Sequence, residues 1–303
     1  MTTQNTTPAL LREAMLFSLT RRAWGNRSQG DKNVITSSAD KKRLNLTKRL
    51  LSCPELTAIN DKMATVYLWC LARSMQSTAV RKGIYFVKRD MIEQFEAYLL
   101  AAQAELNDVL VPAFIAAYPA AKEAMKLPAE NGGLGDLYVE ADYPAVAFFN
   151  TAFAIEWSWL ALSVPSELPE EVRTREIAKL RESFDQAQEE IKFALRESFK
   201  QVVEHAIERL TPGPDGRPKM IRESAINFEG FFETFHAKSM VDDNELMALV
   251  DRVRGILRNM PDVEDLRLRP TLQVETAEQF AQVNKVLDTL VINKPVRRIK
   301  FDD

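Results

Sequence analysis

The sequence predicts a mainly α-helical protein: a long antiparallel, coiled-coil-like helical hairpin carrying a small α/β head with one or two short strands, followed by a C-terminal helical unit. Three observations carry this. The stretch 169–210 holds neither Gly nor Pro after Pro169, and Ile177, Leu180, Phe184, Ala187, Ile191 and Ala194 recur in it at spacings of 3 and 4, the seam of a coiled coil. Phe199, Val202, Val203, Ala206 and Leu210 carry the apolar face onward. At 1.5 Å per residue this helix is roughly 60 Å long, too long for a compact core, so it needs a second long helix or another chain beside it. Met91–Tyr118 is a second long periodic stretch and the expected antiparallel partner. Capping signals then punctuate the last third. The implied division is a basic head segment at 1–90, a hairpin at 91–212 with an apolar insert at 135–165 joining the head, and a C-terminal unit at 220–303.

In chain order, Leu10–Trp24 reads as a short helix or an extended arm, followed by loop chemistry around Gly25, Asn26, Ser28 and Gly30. Val34–Ser38 fits a short strand, and Ala39–Leu51 a basic helix with Leu44, Leu46 and Leu50. Ser52 or Cys53 caps a stronger helix, with Pro54 in its first turn, where a missing N–H costs nothing. Leu56, Ile59, Met63, Val66, Tyr67, Cys70, Leu71 and Met75 form its stripe, and Gly83 can take the left-handed conformation that ends a helix. Ile84–Val87 is a strand. Asp90 caps Met91–Tyr118, with a kink expected near Pro112 and an interruption at Pro119.

Asn131–Asp136 is a Gly-rich loop whose spacing does not match a phosphate cradle. Leu137–Ala141 alternates like a second strand. Pro144–Leu162, with Phe148, Phe149, Phe153, Ile155, Trp157, Trp159 and Leu160, reads as a buried helix whose aromatic cluster is core. Thr211–Pro218 is a loop at the tip of the stalk. Ser224–His236 is a helix with Phe228, Phe231, Phe232 and Phe235. Asp242 with Glu245 and Thr276 with Gln279 have capping-box spacing, and a strand is expected at Thr271–Val274. Leu246, Leu249, Val250, Val253, Ile256 and Leu257 mark one helical face and Phe280, Val283, Val286, Leu287 and Leu290 another; Val296–Asp303 is a charged tail.

The chemistry is sparse. The chain of 303 residues has 46% apolar and 27% charged residues and a formal charge of −3, enough for a real core. No apolar run reaches the roughly 18 residues of a membrane span, and Met1–Leu10 lacks the apolar stretch of a signal peptide, so no membrane is expected. Cys53 and Cys70 match no metal or redox spacing and read as buried thiols of a cytoplasmic protein. His205 and His236 are isolated from further ligands, and no nucleophile elbow or calcium loop is present. No catalytic residue, metal or cofactor is assigned, and no enzyme activity is expected. The charge is uneven. Residues 1–90 hold 16 Lys and Arg against 6 Asp and Glu, and residues 91–303 hold 24 against 37. Arg21, Arg22, Trp24, Arg27, Lys41, Lys42, Arg43, Lys48 and Arg49 form the candidate contact for nucleic acid or an acidic partner, because phosphates favour such charges and an exposed Trp can stack on a base. The bland reading is that the acidic remainder neutralises them and Trp24 anchors the arm to the core.

The segments Arg21–Gly25, Arg81–Val87 and Tyr143-Pro144, with Leu246–Met260, Leu268-Arg269-Pro270 and a closing helix, resemble a family of phage and bacterial proteins of undefined function, over about Leu16 to Leu290. Genes of that family lie near those of MoxR-type AAA+ ATPases and von Willebrand factor A proteins. The resemblance implies an adaptor of such a machine, in the cytoplasm of a bacterial host, with no enzymatic residues to carry over. The expected function is a non-enzymatic helical assembly or adaptor protein of a phage or mobile element, self-associating as a homo-oligomer or serving a MoxR-type ATPase partner. A nucleic-acid-binding accessory protein is the alternative.

Overall fold

The computed structural model describes residues 8–32, 39–211, 228–261 and 263–291. The chain folds into two compact units, each assembled from separated segments rather than in sequence order. One comprises the described residues of Met1–Ser18, Ala72–Met91 and Trp159–Asp303; the other comprises Leu19–Leu71 and Ile92–Ser158. The expected strand at Val34–Ser38, the loop from Pro212 to Pro218, the start of the helix at Ser224 and the tail Val296–Asp303 lie outside the described residues.

The described residues are mostly helical, as the periodicity implies, but hold five strands rather than the one or two expected, in a three-stranded sheet and a two-stranded ribbon. Helix α1 (Ala9–Glu13) leads into strand β1 (Ala14–Arg22), so the N-terminal segment is both a short helix and an extended arm. The short ribbon strands β2 (Arg27–Gln29) and β3 (Thr47–Arg49) follow. Next come α2 (Pro54–Arg73), β4 (Ile84–Lys88), α3 (Ile92–Glu105), α4 (Val111–Ala124), α5 (Phe149–Ala152) and β5 (Ala154–Leu160). The chain closes with α6 (Glu170–Leu210), α7 (Glu229–Lys238), α8 (Asn244–Asn259), α9 (Val263–Leu268) and α10 (Pro270–Val291). The three-stranded sheet has the order β4-β1-β5, with β1 antiparallel to β4 and Leu16 opposite Phe86.

The first unit is built on α6. Glu170 and Glu171 in its first turn and Arg209 in its last complement the helix dipole. Its buried stripe is Phe184, Ala187, Ile191, Leu195, Phe199, Val203, Ala206 and Leu210. Those steps average about 3.7 residues, nearer the 3.6 of a straight helix than the 3.5 of a heptad seam. The expected seam residue Ala194 is therefore exposed and Leu195 is buried in its place, while Ile177 and Leu180 are half-buried. The stripe is covered from within the unit, by Phe280, Val283 and Leu287 of α10, Leu249, Val250 and Val253 of α8, Phe235 of α7 and Leu16 and Phe86 of the sheet. Phe199 stacks on Phe231 at 5.0 Å and Phe228 on Phe280 at 5.6 Å. Arg196 reaches the carbonyl of Leu290 while Lys200 pairs with Asp288, so α6 and α10 run antiparallel. The expected hairpin with Met91–Tyr118 is not borne out. From Ile92 onward that stretch belongs to the other unit, and α10 fills the seam.

Several local expectations change for identifiable reasons. Pro144–Leu162 is not one helix: a short helix ends at Ala152 and β5 follows, because Ile155, Trp157 and Trp159 alternate with Glu156 and Ser158 at the period of a strand. Phe149, Phe153 and Ile155 are buried and Trp157 and Trp159 half-buried, but Phe148, expected in the same core, is 46% exposed. Leu137–Ala141 forms tight turns at Gly135–Leu137 and Glu140–Asp142 rather than a strand. Thr271–Val274 is helical, because Pro270 already starts α10, and Thr276 sits inside it with its hydroxyl donating to the Leu272 carbonyl. The cap of α8 is Asp243, one residue after the expected Asp242, and its carboxylate accepts from the Leu246 N–H. Gly83 does adopt a positive φ of 85°, in the turn before β4, whereas α2 ends earlier at Arg73. Near Pro112 the helix widens into a π turn at Leu106–Leu110, and it continues through Pro119 to Ala124. By length and composition alone the run Arg89–Ala124 could cross a membrane, and 28% of its most apolar window is buried.

Candidate nucleic-acid interface

The basic segment lies in the second unit, and its geometry follows from one small ribbon. Strands β2 and β3 pair antiparallel, with Arg27 opposite Arg49, Ser28 opposite Lys48 and Gln29 opposite Thr47. Side chains alternate across a strand, so Ser28 and Lys48 share one face and the two arginines share the other. The Ser28–Lys48 face is tied down. The Lys48 ammonium pairs with Asp142 at 2.7 Å and donates to the Leu137 carbonyl at 2.6 Å, and the Ser28 hydroxyl donates to the same Asp142 carboxylate at 2.8 Å. The Lys48 ammonium, followed by the Ser28 hydroxyl, holds the Asp142 carboxyl below its usual range against the opposing effect of burial.

The ribbon is closed at both ends. Gly30 donates to the Leu46 carbonyl, and Leu50 donates to that of Asn26. Asn26 itself sits at a positive φ of 41°, a conformation Asn tolerates better than most residues. Its side-chain amide both donates to the Leu51 carbonyl and accepts from the Leu51 N–H, so the chain is fixed where it turns towards α2. Tyr143 locks the same corner by donating to the Leu50 carbonyl.

The opposite face opens onto a cleft of about 300 Å³, lined by Trp24, Arg27, Arg49, Ser52, Cys53 and Asn60 among others. Cys53 precedes α2, so the cleft meets the positive end of a 20-residue helix. Burial pushes the Cys53 thiol up, while a hydrogen bond from the Leu56 N–H to the sulfur pulls the other way. Trp24 is half-buried, with Phe149 and Tyr118 edge-on at 5.2 and 6.4 Å, so it anchors its segment to the core while still lining the cleft. Arg27 and Arg49 are exposed, and among the described residues neither has a carboxylate partner.

The structure thus divides the nine sequence-derived residues. Lys48 is buried in an ion pair and cannot meet a phosphate; strand alternation turns it inward. Arg22 pairs with Glu156 at 3.1 Å, and Arg21 lies 4.0 Å over the Tyr67 ring and donates to the Met63 carbonyl, so both are engaged by their own unit. Lys41, Lys42 and Arg43 are exposed on a single turn of 3-10 helix that Asp40 caps through the Lys42 N–H, rather than on a continuous helix to Leu51. Arg27, Arg49 and Trp24 converge on the cleft. Sequence reasoning missed Ser28 and Asp142, which orient the ribbon. Asp142 is distant in the chain and the strands are only three residues long, so no local signal marked them.

The first unit holds two larger concavities with more apolar lining. One of about 550 Å³ lies beside Phe193 and Glu190, whose carboxylate accepts from the Ser77 and Thr78 hydroxyls, the Thr78 N–H and the Gln186 amide. Burial raises its pKa, but those donors prevail and the net shift is downward. Its donors come from the 77–78 turn and from α6, so it fastens that turn to the helix. The other, about 640 Å³, lies among Leu11, Leu162, Ile177 and Phe184. Among the described residues no cluster of three His, Cys, Asp or Glu side chains could hold a metal. Compared with protein-family models, curated proteins and solved structures, the chain matches none.

Proposed function

We propose that the chain is a non-enzymatic accessory protein that binds nucleic acid through the outward face of the β2–β3 ribbon. One observation carries this reading: Arg27 and Arg49 stand directly opposite each other across the ribbon without an acidic partner among the described residues. Like charges in that register destabilise a strand pair, and a polyanion relieves the repulsion on binding. Lys42 and Arg43 extend the positive surface, exposed on the turn just before β3. Such binding is salt-dependent, because each neutralised phosphate releases a counterion. The test is fluorescence anisotropy of a labelled single strand with the full chain. Replacing Arg27 and Arg49 by Ala is expected to weaken binding at least about tenfold and to flatten the log–log salt slope by roughly 0.7 per cation lost. No binding at about 20 mM salt, where phosphate contacts are strongest, removes the reading.

A second reading, a homo-oligomeric adaptor for a MoxR-type ATPase, is favoured by a different observation. Leu68, Leu100 and Val109 of the second unit are 62%, 53% and 58% exposed, apolar side chains that an interface would cover. In such an assembly the half-buried start of α6, with Ile177 and Leu180, is the stretch that would pair with another copy's long helix. Mass photometry at low and high salt tests it: multiples of the 34.4 kDa chain support assembly, and a single-chain mass at both salts removes it.

A further inference from the structure

The β2–β3 cleft differs from a strip of surface cations in three respects: it is concave, it carries two guanidinium groups on one wall, and it has an aromatic ring on its lining. We propose that it is a receptor for the phosphate monoester of a nucleotide, with Arg27 and Arg49 gripping the phosphate and Trp24 taking the base. This rests on the nucleic-acid reading above and narrows it from a backbone to an end group. A phosphodiester carries one negative charge, whereas a monoester carries about 1.5 to 2 at neutral pH, so two opposed arginines match the monoester more closely. Each guanidinium presents a planar fork of donors suited to phosphate oxygens. The volume of about 300 Å³ is at the small end of ligand pockets, room for one nucleotide rather than a length of strand. The neutral residues beside them fit the same ligand. Ser52, Thr57 and Asn60 are polar, no carboxylate is among the described lining residues, and the positive end of α2 lies beneath it; Glu55 in the first turn of α2 is outside the lining but hydrogen-bonds to Cys53. The ordered turn of Asn26, Leu50 and Leu51 presets the distance between Trp24 and the arginines before any ligand arrives.

The same chemistry is offered by a phosphorylated strand end and by a free mononucleotide, and the experiment separates them. Short single-stranded oligonucleotides with a 5′-phosphate, a 3′-phosphate or hydroxyls at both ends are titrated by anisotropy against the full chain. A nucleoside monophosphate is titrated alone by calorimetry. One phosphorylated end is expected to bind about tenfold tighter than the hydroxyl strand. Arg49→Ala and Arg27→Ala should abolish that ratio, and Arg27→Lys should recover only part of it, since charge returns without the fork. Lys42→Ala with Arg43→Ala should weaken every strand alike and leave the ratio intact. Both arginines are exposed, and unchanged circular dichroism confirms that the variants fold. Binding of the mononucleotide without any binding of strands supports the cleft and overturns the nucleic-acid reading. Equal affinity for phosphorylated and hydroxyl strands overturns the inference while the nucleic-acid reading survives. No binding of any probe at low salt overturns both.

Discussion

Replacing Asp142 by Ala tests whether the ribbon is held as described. The substitution leaves the Lys48 ammonium, whose side chain is 4% exposed, without its counter-charge. Removing one partner of a buried ion pair costs about 3–5 kcal/mol. Two features bring the figure down here: Asp142 is 21% exposed, and the Leu137 carbonyl still accepts from Lys48. The expected loss is therefore about 2–3 kcal/mol, or a fall in Tm of about 5–10 °C for a chain of this size. Thermal unfolding followed by circular dichroism measures it. Binding should fall with it, because Ser28 and Lys48 no longer orient the face that carries Arg27 and Arg49. The double variant Lys48→Met with Asp142→Leu should regain most of the stability, since an apolar pair replaces a buried ionic one at little net cost. The pH dependence has a definite sign. The folded-state pKa of Asp142 is depressed, so its contribution is complete above the unfolded carboxylate value of about 4 and is lost as pH falls through the folded value. Asp142→Asn should lack that acid-side loss. A Tm for Asp142→Ala within about 1 °C of the parent would show that Lys48 is solvated and the ribbon is not clipped.

Two further substitutions probe each unit separately. Arg196 forks onto Asp243 at 2.7 and 2.9 Å and also meets Glu245, while Asp243 caps α8; Arg196→Met should cost about 2–4 kcal/mol in urea unfolding, and an unchanged midpoint would refute the network. In the second unit, a Cβ on Gly133 would lie 1.9 Å from the Leu127 carbonyl oxygen; Gly133→Ala should lower stability by about 2 kcal/mol or more, and a parental Tm would mean that the turn moves freely.

The candidate site was legible as a list of charges but not as a surface. The sequence placed nine residues in one basic segment, yet their neighbours along the chain did not reveal which pointed outward. Lys48 and Arg49 are adjacent, and strand alternation sends one into an ion pair and the other into the cleft. The expectation of a helix over Ala39–Leu51 hides this, because a helix does not send neighbouring residues to opposite faces as a strand does. The chain there forms one turn of 3-10 helix and a three-residue strand. Asp142 lies 94 positions from Lys48, so nothing local announced the pair.

The sequence by itself determined the elements whose signals are local. The long α6 follows from an unbroken run without Gly or Pro, α2 from Pro54 and its apolar stripe, β4 from a β-rich run after Gly83, and the buried aromatics from their bulk. Only the tertiary structure decided which long helices pair. An apolar stripe states that it must be buried but not against what. Hydrophobic burial is non-directional, so the apolar stripe of Met91–Tyr118 does not name its partner, and it is α10 that covers α6. The ribbon obeys the same rule. Its strands are too short for periodicity to specify them, and their faces were assigned by Asp142, Leu137 and Tyr143 arriving from far along the chain.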